Sequence, residues 1–145
     1  MKADQLFASR ETSRSKTFVG GIMVTSREVI RRGRKYLGVP YVSGTPSPCS
    51  GLGMDCDCFT KRTFNDVGIR LGWWTDQFNY GRRISVANRR TGDLLFFSED
   101  GSGNLTHVGI QSYDDYLLHA CSYYGMVVES ELKLTNGLYD VRRLI

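Results

Sequence analysis

A chain of 145 residues, 41% hydrophobic and 23% charged, has the composition of one soluble globular domain with a single core. No apolar run reaches the length of a transmembrane helix, and residues 18–24 are glycine-broken and too short for a secretory h-region, so no signal peptide is visible. A net charge of +4 favours an anionic surface without selecting one, and four cysteines are too few for a disulfide scaffold.

In chain order, residues 1–22 read as a flexible tail, polar and aperiodic, ahead of a domain spanning 23–145. Thr25-Ser26-Arg27-Glu28 is a capping box, with Thr25 as cap and Glu28 reaching back. The helix it opens is predicted to run to Leu37, with Val29, Ile30, Gly33, Tyr36 and Leu37 as its apolar stripe. Arg31, Arg32, Arg34 and Lys35 form a basic outer face, and Gly38 and Pro40 stop the helix. A Pro- and Gly-rich loop follows over residues 43–53. Cys56, Phe59, Thr60, Thr63, Phe64 and Val67 then recur at helical spacing up to Gly68. Residues 72–80 are aromatic with little period, either a lid over the core or a wall of a substrate groove. Arg82-Arg83 and Arg89-Arg90 read as solvated loop rather than a nucleic-acid face. From Asp93 the pattern is one of strands, at residues 94–97, 106–111, 116–120, 126–129 and 139–143. Helices first and an antiparallel sheet after them make an α+β fold.

Cys56 falls in the first turn of the second helix, where unpaired N–H groups and the helix dipole favour a thiolate. Such a nucleophile needs a base within hydrogen-bond reach and a third group to orient the base. The chain has two histidines, His107 and His119, both on strands expected to form one hairpin. An even-numbered loop would put their rings on opposite faces of the sheet. With a three-residue loop of Tyr113, Asp114 and Asp115, Ser112 pairs with Tyr116 and His119 falls opposite Gly109. The rings then share a face, and the same-face arrangement is expected.

These residues carry a resemblance. Asp55-Cys56 with Phe59 at a helix start, Gly92-Asp93-Leu94-Leu95-Phe96-Phe97, His107-Val108-Gly109-Ile110 and Leu118-His119-Ala120 together resemble the NlpC/P60 family of papain-like cysteine peptidases. Val39-Pro40-Tyr41 is similar to that family's Pro-Tyr segment, and the likeness runs from about Val24 to Ile145. The resemblance implies a papain-like fold and hydrolysis of peptidoglycan stem peptides, most often between D-glutamate, through its γ-carboxyl, and a diamino acid. It implies Cys56 as nucleophile, His107 as general base and acid, and His119 as the orienting group. Tyr41 would assist the oxyanion or the substrate, and Asp55 would contact a substrate amine. No metal or organic cofactor, no nucleic acid and no integral membrane segment is implied. The implied location is extracellular, periplasmic or at the cell wall; oligomeric state stays open.

Two positions depart from the family's pattern, with Asp57-Cys58 standing where a Ser-Gly pair is usual. Cys58, about 200° around the helix from Cys56, should point into the packing and be buried or bonded to Cys49 or Cys121. Asp57 and Asp55 place two carboxylates beside a thiol that must ionise, which opposes ionisation unless they bind a substrate ammonium or point to solvent. Rival readings are a zinc site of Cys56, Cys58, His107 and His119, a Cys-x-Cys redox pair, an inactive binding module on the same fold, and the same chemistry on a non-cell-wall amide.

Overall fold

The computed structural model describes residues 16–44, 49 and 51–145. The chain enters through a hairpin, β1 (Lys16–Val19) and β2 (Ile22–Thr25), closed by Gly20 and Gly21 at φ 56° and 82°. Two successive positive φ values are what a tight hairpin turn requires, and glycine supplies them without strain. This corrects the tail expectation from Lys16 onward: Lys16–Val19 pair with Ile22–Thr25 across the glycine turn, and Val24 is buried. The remainder of the tail, and positions 45–48 and 50 of the expected loop, lie outside the described residues.

Thr25 caps α1 (Ser26–Arg34), its hydroxyl accepting the Glu28 N–H at 3.2 Å. The helix ends a turn sooner than its apolar spacing suggested, and Leu37 is 45% exposed rather than buried. Val29, Ile30 and Gly33 form the buried face. Gly33 lets the helix lie close to the sheet: a Cβ there would come within 2.7 Å of the end of the Leu118 side chain, which would have to shift. The second helix, α2 (Cys56–Asp66), buries Phe59 and Phe64 completely. A short α3 (Trp74–Phe78) sets Trp74 and Phe78 edge-on to Phe96, so the aromatic segment covers the core.

Six strands follow: β3 (Arg82–Ile84), β4 (Leu94–Phe97), β5 (His107–Gln111), β6 (Tyr116–Cys121), β7 (Met126–Glu131) and β8 (Leu138–Arg143). They form one antiparallel sheet in the order β3-β8-β4-β5-β6-β7. Leu94, Phe96, Val108, Ile110, Leu118 and Ala120 pack with the two long helices in the main core. Leu95, Phe97, Leu117 and Val141 form a second cluster with Leu132. Every residue of β4 is buried, as expected of the four-residue apolar run. The fold is mixed helix and antiparallel sheet.

Candidate active site

The site begins with a helix cap. Asp55 is the N-cap of α2, and its Oδ1 accepts the Cys58 N–H at 3.1 Å. Cys56 is therefore the first helical residue, at the positive end of the dipole. Cys58 turns the other way, fully buried and disulfide-bonded to Cys49 with Cα atoms 5.7 Å apart. Cys121, the other partner the sequence allowed, is free, as is Cys56. With its sulfur committed to Cys49, Cys58 cannot serve Cys56 as a redox partner or co-ligand. Among the described residues, no three His, Cys, Asp or Glu side chains group as a metal site.

Tyr41 reaches the site because its backbone is clipped on two sides. Its N–H donates to the Gly125 carbonyl at 2.9 Å, in the β6–β7 turn. It also bridges to Met54, two residues before Cys56.

The histidines meet as the loop count predicts. Ile110 pairs with Leu118 and Gln111 with Leu117, a register that sets Gly109 opposite His119. Asp114 and Asp115 absorb the turn at φ 56° and 57°, a conformation aspartate tolerates better than most side chains. A Cβ on Gly109 would lie 3.0 Å from that of His119, so the glycine does make room. His107 Nε2 and His119 Nδ1 are 2.7 Å apart, and His119 Nε2 lies 2.9 Å from Ser130 Oγ. The three side chains form a chain of hydrogen bonds across β5, β6 and β7.

Tyr41, Cys56, His107 and His119 line one cavity of about 640 Å³. Its walls are Phe97, Glu99 and Thr106 on one side, Cys121 to Tyr124 on the other, and residues 134–136. The backbone of Val108, on the strand that carries His107, lies close enough to Cys56 to favour its thiolate. None of residues 73–80 lines the cavity, so the groove-wall reading of that segment falls.

Asp55 and Asp57 do not line it either; both carboxylates are used within the chain. Asp55 caps α2, and Asp57 Oδ2 accepts the Trp74 N–H at 3.1 Å, linking α2 to α3. Burial and a hydrogen bond shared with Asp55 push the Asp57 carboxyl up to about 6. Burial, then the Asp57 charge, push the Cys56 thiol up to about 12, against the Val108 backbone, which lowers it. Burial holds His107 down at about 4, and burial with its His107 neighbour holds His119 at about 3. The resting pair is thus neutral thiol and neutral imidazole. Burial also raises the Tyr41 hydroxyl, which stays protonated and able to donate.

Sequence reasoning missed Ser130 and the cavity walls. Ser130 was within reach of it: Cys121 pairs with Met126, which carries the register to His119 opposite Val128 and leaves Ser130 two positions on, on the histidine face. Glu99, Tyr123 and Tyr124 lie in turns, where no periodicity marks a residue.

A helix-start cysteine and two sheet histidines opening into one cavity define a papain-like fold with a cysteine-histidine site. The NlpC/P60 family profile matches residues 38–139, and the chain belongs to the NlpC/P60 family. It is 39% identical over 114 residues to a Haemophilus influenzae protein named "Probable endopeptidase", covering 76% of this chain and 69% of that one. It is 33% identical over 118 residues to the gamma-D-glutamyl-L-lysine dipeptidyl-peptidase of Bacillus subtilis, covering 80% of this chain and 38% of that one. Among solved structures, the NlpC/p60 domain of the peptidoglycan hydrolase SagA superposes with a TM-score of 0.71 at 28% identity, over 82% of this chain and 98% of that one. RipB of Mycobacterium tuberculosis gives 0.69 at 30% identity, over 83% of this chain and 64% of that one. Among the described residues, no helix is long and apolar enough to cross a membrane.

Proposed function

We propose that this chain is a cysteine peptidase that hydrolyses peptidoglycan stem peptides at the amide between the γ-carboxyl of D-glutamate and a diamino acid. The observation that carries the reading is the His107–His119–Ser130 chain of contacts opening into the same cavity as Cys56. Two sets of tautomers satisfy those contacts. In the productive one, His107 Nε2–H donates to His119 Nδ1 and His119 Nε2–H donates to Ser130, leaving His107 Nδ1 as the base. Cys56 gives its proton to that nitrogen as its sulfur attacks the carbonyl carbon. The Cys56 N–H, without an intrahelical acceptor, and the Tyr41 hydroxyl stabilise the oxyanion. His107 then protonates the leaving amine, and water, deprotonated by the same nitrogen, releases the acyl group from sulfur. Every group in this cycle is a side chain or backbone atom, so it calls for no cofactor. The disulfide suits an oxidising compartment, in keeping with action outside the cytoplasm or at the wall.

One observation favours a second reading, a wall-binding module with a suppressed thiol: Cys56 is pushed up to about 12. The deciding experiment is release of a free amine from L-Ala-γ-D-Glu-L-Lys by the native protein and by Cys56→Ala and His107→Ala. Hydrolysis lost by a factor of about a thousand in either variant establishes the peptidase. Binding of the peptide without hydrolysis by the native protein would establish the module.

A further inference from the structure

We infer that Glu99 reads a free ammonium group on the leaving half of the substrate, so that stem peptides with an unblocked side-chain amine on the diamino residue are cut in preference to acylated, cross-linked ones. The inference rests on the peptidase reading above and adds to it the basis of selectivity.

Charge is the first ground. Although the chain carries a net charge of +4, no lysine or arginine among the described residues lines the cavity. Glu99 is its one carboxylate among the described residues, and both imidazoles there are held neutral. Glu99 is exposed, and among the described residues its carboxylate has no hydrogen-bond or ion-pair partner. Its neighbours on that wall, Thr106, Thr135 and Asn136, are polar and uncharged, so nothing there competes for it. The two aspartates that the sequence offered for this role are engaged with backbone N–H groups instead.

Topology is the second ground. The end of β4, the start of β5 and the end of β6 lie side by side at one end of the sheet. Phe97 pairs with His107, and Glu99 is two residues beyond it. On the other side of the histidines stand Tyr124, with its ring 6.4 Å from that of His119, and Tyr123, packed on Tyr124 at 5.1 Å. The cavity therefore has an acidic arm and an aromatic arm, with His107 and His119 between them. His107 delivers its proton to the leaving amine, so the leaving residue lies along β5 and extends toward β4. A diamino residue there carries its second amine to Glu99.

The test compares L-Ala-γ-D-Glu-L-Lys with its Nε-acetyl form on the native protein and on Glu99→Gln at low salt. The native protein should favour the free amine about fivefold in KM, the scale of an exposed ion pair, with the preference fading as salt rises. In Glu99→Gln the two peptides should converge. Persistence of the preference in the variant, or none in the native protein, overturns the inference. Should the native protein cut neither peptide, the peptidase reading fails separately. Calorimetric binding of both peptides to Cys56→Ala and to Cys56→Ala/Glu99→Gln then decides. A free-amine preference that vanishes with Glu99 upholds the ammonium site, and equal binding of the two peptides overturns it.

Discussion

At the scale of single residues, the nucleophile's neighbour sets a measurable handicap. Asp57 is charged above about pH 6 and, after burial, is the largest influence holding the Cys56 proton. Asparagine at this position keeps an oxygen for the Trp74 N–H and removes the charge. Asp57→Asn should lower the thiol's pKa and raise its rate of alkylation by iodoacetamide at pH 8 by roughly three- to tenfold. Near pH 5, where Asp57 is largely protonated in the native protein, the two rates should converge. A pH-independent ratio would mean that the substitution acts through packing. The pair His107 and His119 was legible in the sequence because a strand's period is two and the loop length fixes the register. Glu99 was not, because its proximity to His107 comes from strand pairing and its own turn has no period.

Elements explain why the aspartate before the nucleophile is needed even without a substrate contact. Asp55 satisfies an N–H that α2 leaves open at its start, and Asp55→Ala should cost about 1 kcal/mol in urea unfolding. Asp55→Asn retains the cap and should retain both stability and hydrolysis. Loss of hydrolysis in a stable Asp55→Asn would restore a direct role for the carboxylate. The hairpin is less forgiving. A Cβ at Gly109 would meet the Leu117 side chain at 2.7 Å and the Leu118 carbonyl at 3.1 Å. Gly109→Ala should therefore destabilise by about 1–3 kcal/mol and slow hydrolysis more than it weakens binding, since it displaces His119 rather than the cavity walls. The sequence showed the starts of α1 and α2, because caps are local, but it missed the short α3 and placed the end of α1 too late. It missed β1, β2 and β3, because short, largely exposed strands such as Ile22–Thr25 and Arg82–Ile84 show no alternation of buried and polar positions.

Across the whole molecule, the order of the strands was the least legible feature. The last strand, β8, inserts between β3 and β4, a placement decided by long-range pairing. Arg143 seals it there, with Nε and Nη2 donating to the Asp93 carboxylate at 2.8 and 2.7 Å in a buried pair. The same burial that shapes the site ties global stability to pH. His119 titrates at about 3 when folded, against about 6.5 unfolded. Above 6.5 both states are neutral and stability is complete. As the pH falls, the unfolded chain takes up a proton that the folded one refuses. His119 alone then removes about 2 kcal/mol between pH 7 and 5. His107, at about 4, acts in the same direction. Asp57, raised to about 6, works against them, because below that pH the folded state binds the extra proton. Asp93, also raised by burial, acts with Asp57, and Glu129, lowered against burial by its Arg34 and Ser112 bonds, acts with the histidines; the two imidazoles dominate, so urea unfolding should show lower stability at pH 5 than at pH 7. His119→Gln removes one imidazole and should lose about 2 kcal/mol less than the native protein across that interval. Equal losses in the two proteins would mean that His119 is solvated. The neutral, buried relay proposed for catalysis would then fall along with the stability argument.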